Sequence, residues 1–135
     1  MAVTIPAGVK PVAGYPLPLG DKILLVFDRP GPTSYTQWVA STQTGGDVIT
    51  LAGQGPLNQG GFDYVDADLA DTTGQIQVFP VMPAGGFGNA TKSISLVYYS
   101  LVTATLGGQS QTAGTQIAAN TNLSTFSWRL RALAV

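Results

Sequence analysis

Residues Lys92 to Leu106 read KSISLVYYSLVTATL, and this stretch decides the fold. It has no Pro and no Gly, and β-branched and aromatic residues dominate it. That composition suits a pleated, half-buried surface. Ile94, Leu96, Tyr98, Val102, Ala104 and Leu106 fall on one face. Ser93, Ser95, Val97, Tyr99, Leu101, Thr103 and Thr105 fall on the other. Period-2 alternation at both ends, with an apolar middle, predicts a central β-strand. A straight strand of this length would run ~45–50 Å at ~3.3 Å per residue, far beyond the usual ~17–20 Å. A bend near Tyr99 and Ser100, or a passage from one sheet into another, is therefore expected.

The segments on either side follow the same logic. Lys22 to Asp28 (KILLVFD) is a short apolar run, ended by the turn residues of Arg29 to Pro32. Tyr35 to Thr42 (YTQWVAST) alternates around Trp38 and Val39 and predicts a strand, broken at Gly45 and Gly46. Asp47 to Ala52 and Phe62 to Leu69 predict two more. Gln75 to Met82 (QIQVFPVM) predicts another, and Pro80 inside it argues for an edge or a bulge. After Leu106 the sequence GGQSQTAG reads as a flexible polar connection. Thr115 to Ala119 predicts a short strand, and Asn120 to Asn122 a turn whose Asn residues tolerate left-handed backbone. Thr125 to Val135 closes the chain. Phe126, Trp128, Leu130, Ala132 and Ala134 lie on one face of it; Ser127, Arg129 and Arg131 lie on the other. The sum is an all-β, antiparallel β-sandwich of seven to nine strands, jelly-roll or immunoglobulin-like.

Residues 1–20 differ from the rest. MAVTIPAGVKPVAGYPLPLG places Pro6, Pro11 and Pro16 five residues apart, with Gly8 and Gly14 between them. Proline fixes φ and removes a donor, so an extended or turning arm is expected, not a helix. An arm stays loose unless tied down, and docking on its own domain or a neighbour is expected. The domain reading is thus an arm at 1–20 and one sandwich domain at 21–135. Pro6, Pro11, Tyr15 and Pro16 are candidate partner contacts. So is Phe87, an apolar ring on the Gly loop AGGFGN, which either plugs a partner's pocket or folds back over its own end of the sandwich.

Composition narrows the function. The 135 residues carry a net charge of −1 and only 10% charged residues, and all seven acids are Asp. There is no Cys and no His. That removes disulfides, thiolate and imidazole metal ligands, cysteine nucleophiles and the Ser-His-Asp triad. Six scattered basic residues give no footprint for nucleic acid. No run approaches the ~18–20 apolar residues of a membrane span, and no signal peptide is read at the start. Neither nucleic acid nor membrane is an expected partner, and no cofactor is expected. A surface with few charges is poorly protected against association, so burial against other subunits is expected.

One cluster has possible chemistry. Asp63, Asp66, Asp68 and Asp71 put four carboxylates in nine positions. Such a group can gather a hard cation such as Ca²⁺. It lacks the Gly and the terminal Glu of an EF-hand loop. The alternative is a solvated strand end whose negative charge opposes edge pairing. We expect no metal site here and no catalytic residues.

Taken whole, the chain resembles structural proteins of tailed-bacteriophage virions, in particular small capsid decoration (cement) proteins. The likeness rests on the Ala/Thr/Gly/Gln-rich composition, the lack of Cys and His, the Pro/Gly-rich arm and the C-terminal TQIAANTNLSTFSWRLRALAV. It implies a non-enzymatic virion protein, made in the host cytoplasm. Such a protein forms homotrimers and clamps neighbouring subunits of the major capsid protein. Two alternatives remain: another virion part (neck, tail or fibre attachment), or a carbohydrate- or receptor-binding sandwich module. Exposed aromatics beside the Asp cluster would favour the latter.

Overall fold

A computed structural model describes residues 10–14, 17–20, 22–50, 62–69, 74–81 and 93–134. The described strands are β1 (Lys10–Pro11), β2 (Leu17–Leu19), β3 (Lys22–Pro30), β4 (Asp47–Thr50) and β5 (Phe62–Leu69). They continue with β6 (Ile76–Val81), β7 (Ser93–Ser100), β8 (Ala104–Leu106), β9 (Gln109–Gln111) and β10 (Ser127–Ala134). No helix occurs among the described residues. The protein is an all-β sandwich of antiparallel sheets.

One sheet has the order β1-β3-β10-β5, with β2 also pairing β3; the other has the order β4-β7-β6. The final strand β10 thus lies in the middle of its sheet, against the first long strand, β3. Inside that pair, β4 binds β7 in the opposite sheet.

The core lies between the sheets. Ile23, Leu25 and Phe27 of β3, Trp128, Leu130 and Ala132 of β10, and Val65 and Ala67 of β5 supply one wall. Ile49, Ile76, Val78, Ile94, Leu96 and Tyr98 supply the other. The alternation of β10 is as its sequence predicts, with Trp128 fully buried and Arg129 exposed. The Trp128 ring packs on Tyr98 at 4.9 Å between centroids.

The long apolar stretch divides as expected. β7 ends at Ser100, where the Ser100 Oγ donates to the Val102 carbonyl at 2.5 Å and turns the chain. β8 then pairs with β9 outside the two main sheets. Pro80 sits in β6, the end strand of its sheet, as an edge position requires.

Three segments depart from the sequence reading. Tyr35 to Thr42 is not a ladder strand. Its backbone groups find other partners: Tyr35 bonds to Thr121 and Asn120, and Gly46 N donates to the Thr36 carbonyl at 2.9 Å. Backbone satisfaction, not alternation, decides such a segment. A single bridge, Val39 to Thr44, closes it into a turn. At Gly45 (φ 91°) a Cβ would run into the Gln37 carbonyl oxygen, so only glycine fits. The polar connection after Leu106 is an ordered hairpin, turned at Gly107 and Gly108, both at positive φ. Buried Gln111 anchors it, donating from Nε2 to Thr121 Oγ1 at 2.9 Å. Thr115 to Ala119 makes only one bridge, Gln116 to Tyr99. Asn120 does adopt the left-handed conformation, with φ 65°.

The proline arm joins the sheet from Lys10 onward. β1 pairs with Phe27 and Asp28, and β2 pairs with Lys22 to Leu24. Val12 N extends the contact to the Val26 carbonyl at 2.9 Å. Gly20, at φ 65°, lies in the short turn from β2 into β3.

Candidate functional site

The two outer faces of the sandwich carry different chemistry. On the five-stranded sheet, cross-strand register sets the residues in rows. Asp28, Arg129 and Asp68 form one row, and Arg131 and Asp66 share the next. Arg129 grips Asp28 with two bonds, Nε to Oδ1 at 2.8 Å and Nη2 to Oδ2 at 2.9 Å. The Arg129 hydrogen bonds hold the Asp28 carboxyl below the usual carboxylate range, and Asp28 in turn raises Arg129. Arg131 Nη2 donates to Asp66 Oδ2 at 2.6 Å and also to Asp68.

Asp66 and Asp68 therefore share a face, as the alternation requires, and that face gives them a guanidinium. Asp63 lies on β5, with its side chain outside the described residues; Asp71 lies outside them altogether. Among the described residues no group of three or more acids is placed to hold a metal. Pro11 forms part of β1, opposite Phe27. Pro6, Tyr15, Pro16 and Phe87 lie outside the described residues.

At one end of the sandwich a polar network is buried. Arg29 Nη1 donates to Asp47 Oδ2 at 2.7 Å, and Tyr98 Oη donates to the same oxygen at 2.5 Å. The Tyr98 amide donates to Tyr35 Oη at 3.3 Å, and that hydroxyl donates to Gln116 Oε1 at 2.7 Å. Burial, reinforced by the Asp47 charge, pushes the Tyr98 hydroxyl well up. Burial pushes Tyr35 up to about 12. These groups are neutral donors, locked into a structural network.

The outer face of the three-stranded sheet carries an apolar patch beside Gln77 and Ser95. Trp38, Ala40, Phe79, Val81, Val97 and Tyr99 line an open cleft of about 360 Å³. Its rings come from three elements. β6 alternates Ile76 and Val78 inward, which turns Phe79 outward, 42% exposed. Tyr99 stands beside it, edge to face, at 5.6 Å. Val97 on the same face is only 2% exposed. Trp38 is fixed through its backbone: Gln116 Oε1 accepts from the Trp38 amide at 2.6 Å, and Gln116 Nε2 donates to its carbonyl at 3.1 Å.

Period-2 alternation alone would let most of the strand aromatics face the core. Phe27, Tyr98, Phe126 and Trp128 are there, but Phe79 and Tyr99 are not. The alternation of QIQVFPV already separates Phe79 from Ile76 and Val78. That Trp38 joins Phe79 and Tyr99 depends on the turn at residues 39–44, which no periodicity reveals. A second, similar opening of about 380 Å³, lined by Ala67, Asp68, Gly74, Ile76, Gln77, Val78 and Leu101, lies where β5 meets β6. Comparison with protein-family models, with curated proteins and with solved structures found no match.

Proposed function

We propose that this chain is a non-enzymatic virion structural protein of the capsid-decoration kind. It assembles as a homotrimer and clamps neighbouring shell subunits. The observation that carries this reading is how the surface is divided. The four Asp residues with described side chains, Asp28, Asp47, Asp66 and Asp68, are each held by an arginine. Large apolar side chains stand exposed instead: Leu17, Leu19, Val39, Val48, Phe79 and Leu101. Where such side chains gather, as Phe79 does with Trp38 and Tyr99 at the cleft, apolar exposure marks a contact surface, and a chain with 10% charged residues has little to oppose association. The sandwich and its wrapped connectivity suit a shell component, in line with the resemblance read from the sequence.

The test is binding to capsid shells purified without this chain. Co-sedimentation and greater heat resistance of the decorated shells are the expected results. Shells that neither bind it nor gain resistance would refute the reading.

The aromatic cleft favours a second reading, a carbohydrate-binding module. Its lining carries no charged side chain, however, and the Asp cluster lies on the opposite sheet. A glycan array distinguishes the two.

A further inference from the structure

We propose that the cleft of Trp38, Phe79 and Tyr99 receives the proline-bearing segment MAVTIPAGV (residues 1–9) of a second copy of this chain, with Ile5 and Pro6 as the side chains that enter. This deepens the assembly reading above and rests on it for the claim that the chain self-associates.

Chemistry is the first argument. Grooves lined by aromatic rings bind extended, proline-bearing segments, because the flat pyrrolidine ring packs on ring faces and the segment is already restricted in the free state. Here three rings surround a floor made by Val97, with Ala40 and Val81 beside it, and none of these residues is charged. Residues 1–9 contain no Asp, Lys or Arg. Neither side need bury an unpaired charge.

Supply is the second argument. Pro11 and Pro18 are already placed in β1 and β2, along β3. Pro6 lies before that paired region in the chain.

Reach is the third argument, and it selects a second copy over the same chain. Pro6 is four residues before Lys10, a span of about 12 Å at ~3.1 Å per residue. Lys10 pairs with Asp28 at the outer edge of the five-stranded sheet. The cleft is on the far side of the other sheet, on β6 and β7. The Arg29–Asp47 pair shows that β4 lies on the β3 side of the sandwich. A route within one chain must therefore pass the ~10 Å between sheets and then cross β4 and β7 at ~4.8 Å each. That path is longer than Pro6 can travel. An arm on one copy and a cleft on the next is a head-to-tail contact, which closes into a ring when the rotation permits.

The experiment uses the full chain in three forms: unchanged, Phe79→Ser, and Ile5→Ser with Pro6→Ser. Sedimentation velocity is run over a range of concentrations, with thermal melts to show that each form is folded. The unchanged chain is expected to oligomerise with rising concentration, and each variant alone to lose that association. Mixing the two variants should restore a one-to-one heterodimer, since one supplies the arm and the other the cleft. Three outcomes would overturn the proposal: a monomeric unchanged chain, folded variants that still associate, or a mixture that remains monomeric. Shell binding by a monomeric variant would leave the virion reading standing while the arm contact is judged alone.

Discussion

Arg29 at the end of β3 and Asp47 at the start of β4 join the two sheets through an ion pair of 2.7 Å, with the Asp47 side chain only 7% exposed. The same carboxylate oxygen accepts from Tyr98, so one buried charge organises an entire end of the sandwich. Removing one member of a buried pair strands the other, at a cost of ~3–5 kcal/mol. We expect Asp47→Ala to lose stability on that scale in urea unfolding. An unchanged midpoint would show that Arg29 is satisfied without Asp47.

Trp128 is the largest fully buried side chain, and its indole Nε1 has no hydrogen-bond partner among the described residues. Trp128→Ala should cost ~3–5 kcal/mol, a large part of a domain's ~5–15 kcal/mol. Trp128→Phe should cost clearly less, because it keeps a ring against Tyr98 and removes a buried N–H that gains nothing. Arg129→Ala, on the solvent face, should cost far less, no more than the little that its exposed pair with Asp28 contributes. Equal shifts for the two Ala variants would refute the face assignment.

Much of this fold can be read in the sequence. β10 alternates without interruption because one of its faces meets the core and the other meets water. The break after Ser100 follows from length alone. Tyr35 to Thr42 misleads because its alternation serves packing, with Tyr35 in the core and Trp38 outside, while its backbone bonds go to Thr121, Asn120 and Gln116. Those partners lie roughly eighty residues on, and short-range periodicity carries no sign of them. The arginine partners of Asp66 and Asp68 are hidden for the same reason, since strand register is a property of the sheet.

Tyr35 gives a prediction in alkali. Burial pushes its hydroxyl up to about 12, above the ordinary tyrosine value of about 10. A raised folded value stabilises fully below the unfolded pKa, and that contribution is lost as pH rises from about 10 through about 12. Stability should therefore fall across that window. Tyr35→Phe should be less stable at pH 8, having lost the bond to Gln116, yet decline less steeply above pH 10. Urea midpoints at successive pH values check this. Parallel declines in the two proteins would mean that Tyr35 is not the group responsible.

Asp28 works in the opposite direction. Arg129 lowers its folded pKa, so the pair stabilises above the unfolded value of about 3.8 and that contribution fades as pH falls below it. The stability gap between the unchanged protein and Asp28→Asn should close in acid. A gap that persisted well below the normal Asp range would assign it to packing.

The arm can be divided by truncation. Residues 10–19 supply β1 and β2, which cover the outer edge of β3. Pro11 and Pro18 have no amide hydrogen to offer another strand, so they blunt the edge they form. Deleting residues 2–9 removes none of this pairing. Deleting 2–19 would uncover the backbone of β3 beside Ile23, Leu25 and Phe27, a long apolar strand with open hydrogen-bonding groups. The shorter deletion should leave the melting temperature nearly unchanged while weakening self-association and attachment to shells. The longer one should lower the melting temperature and promote aggregation, visible by light scattering on heating. If both deletions melted alike and stayed dispersed, β1 and β2 would be dispensable decoration on β3; if the shorter deletion alone caused unfolding, residues 2–9 would belong to the domain itself.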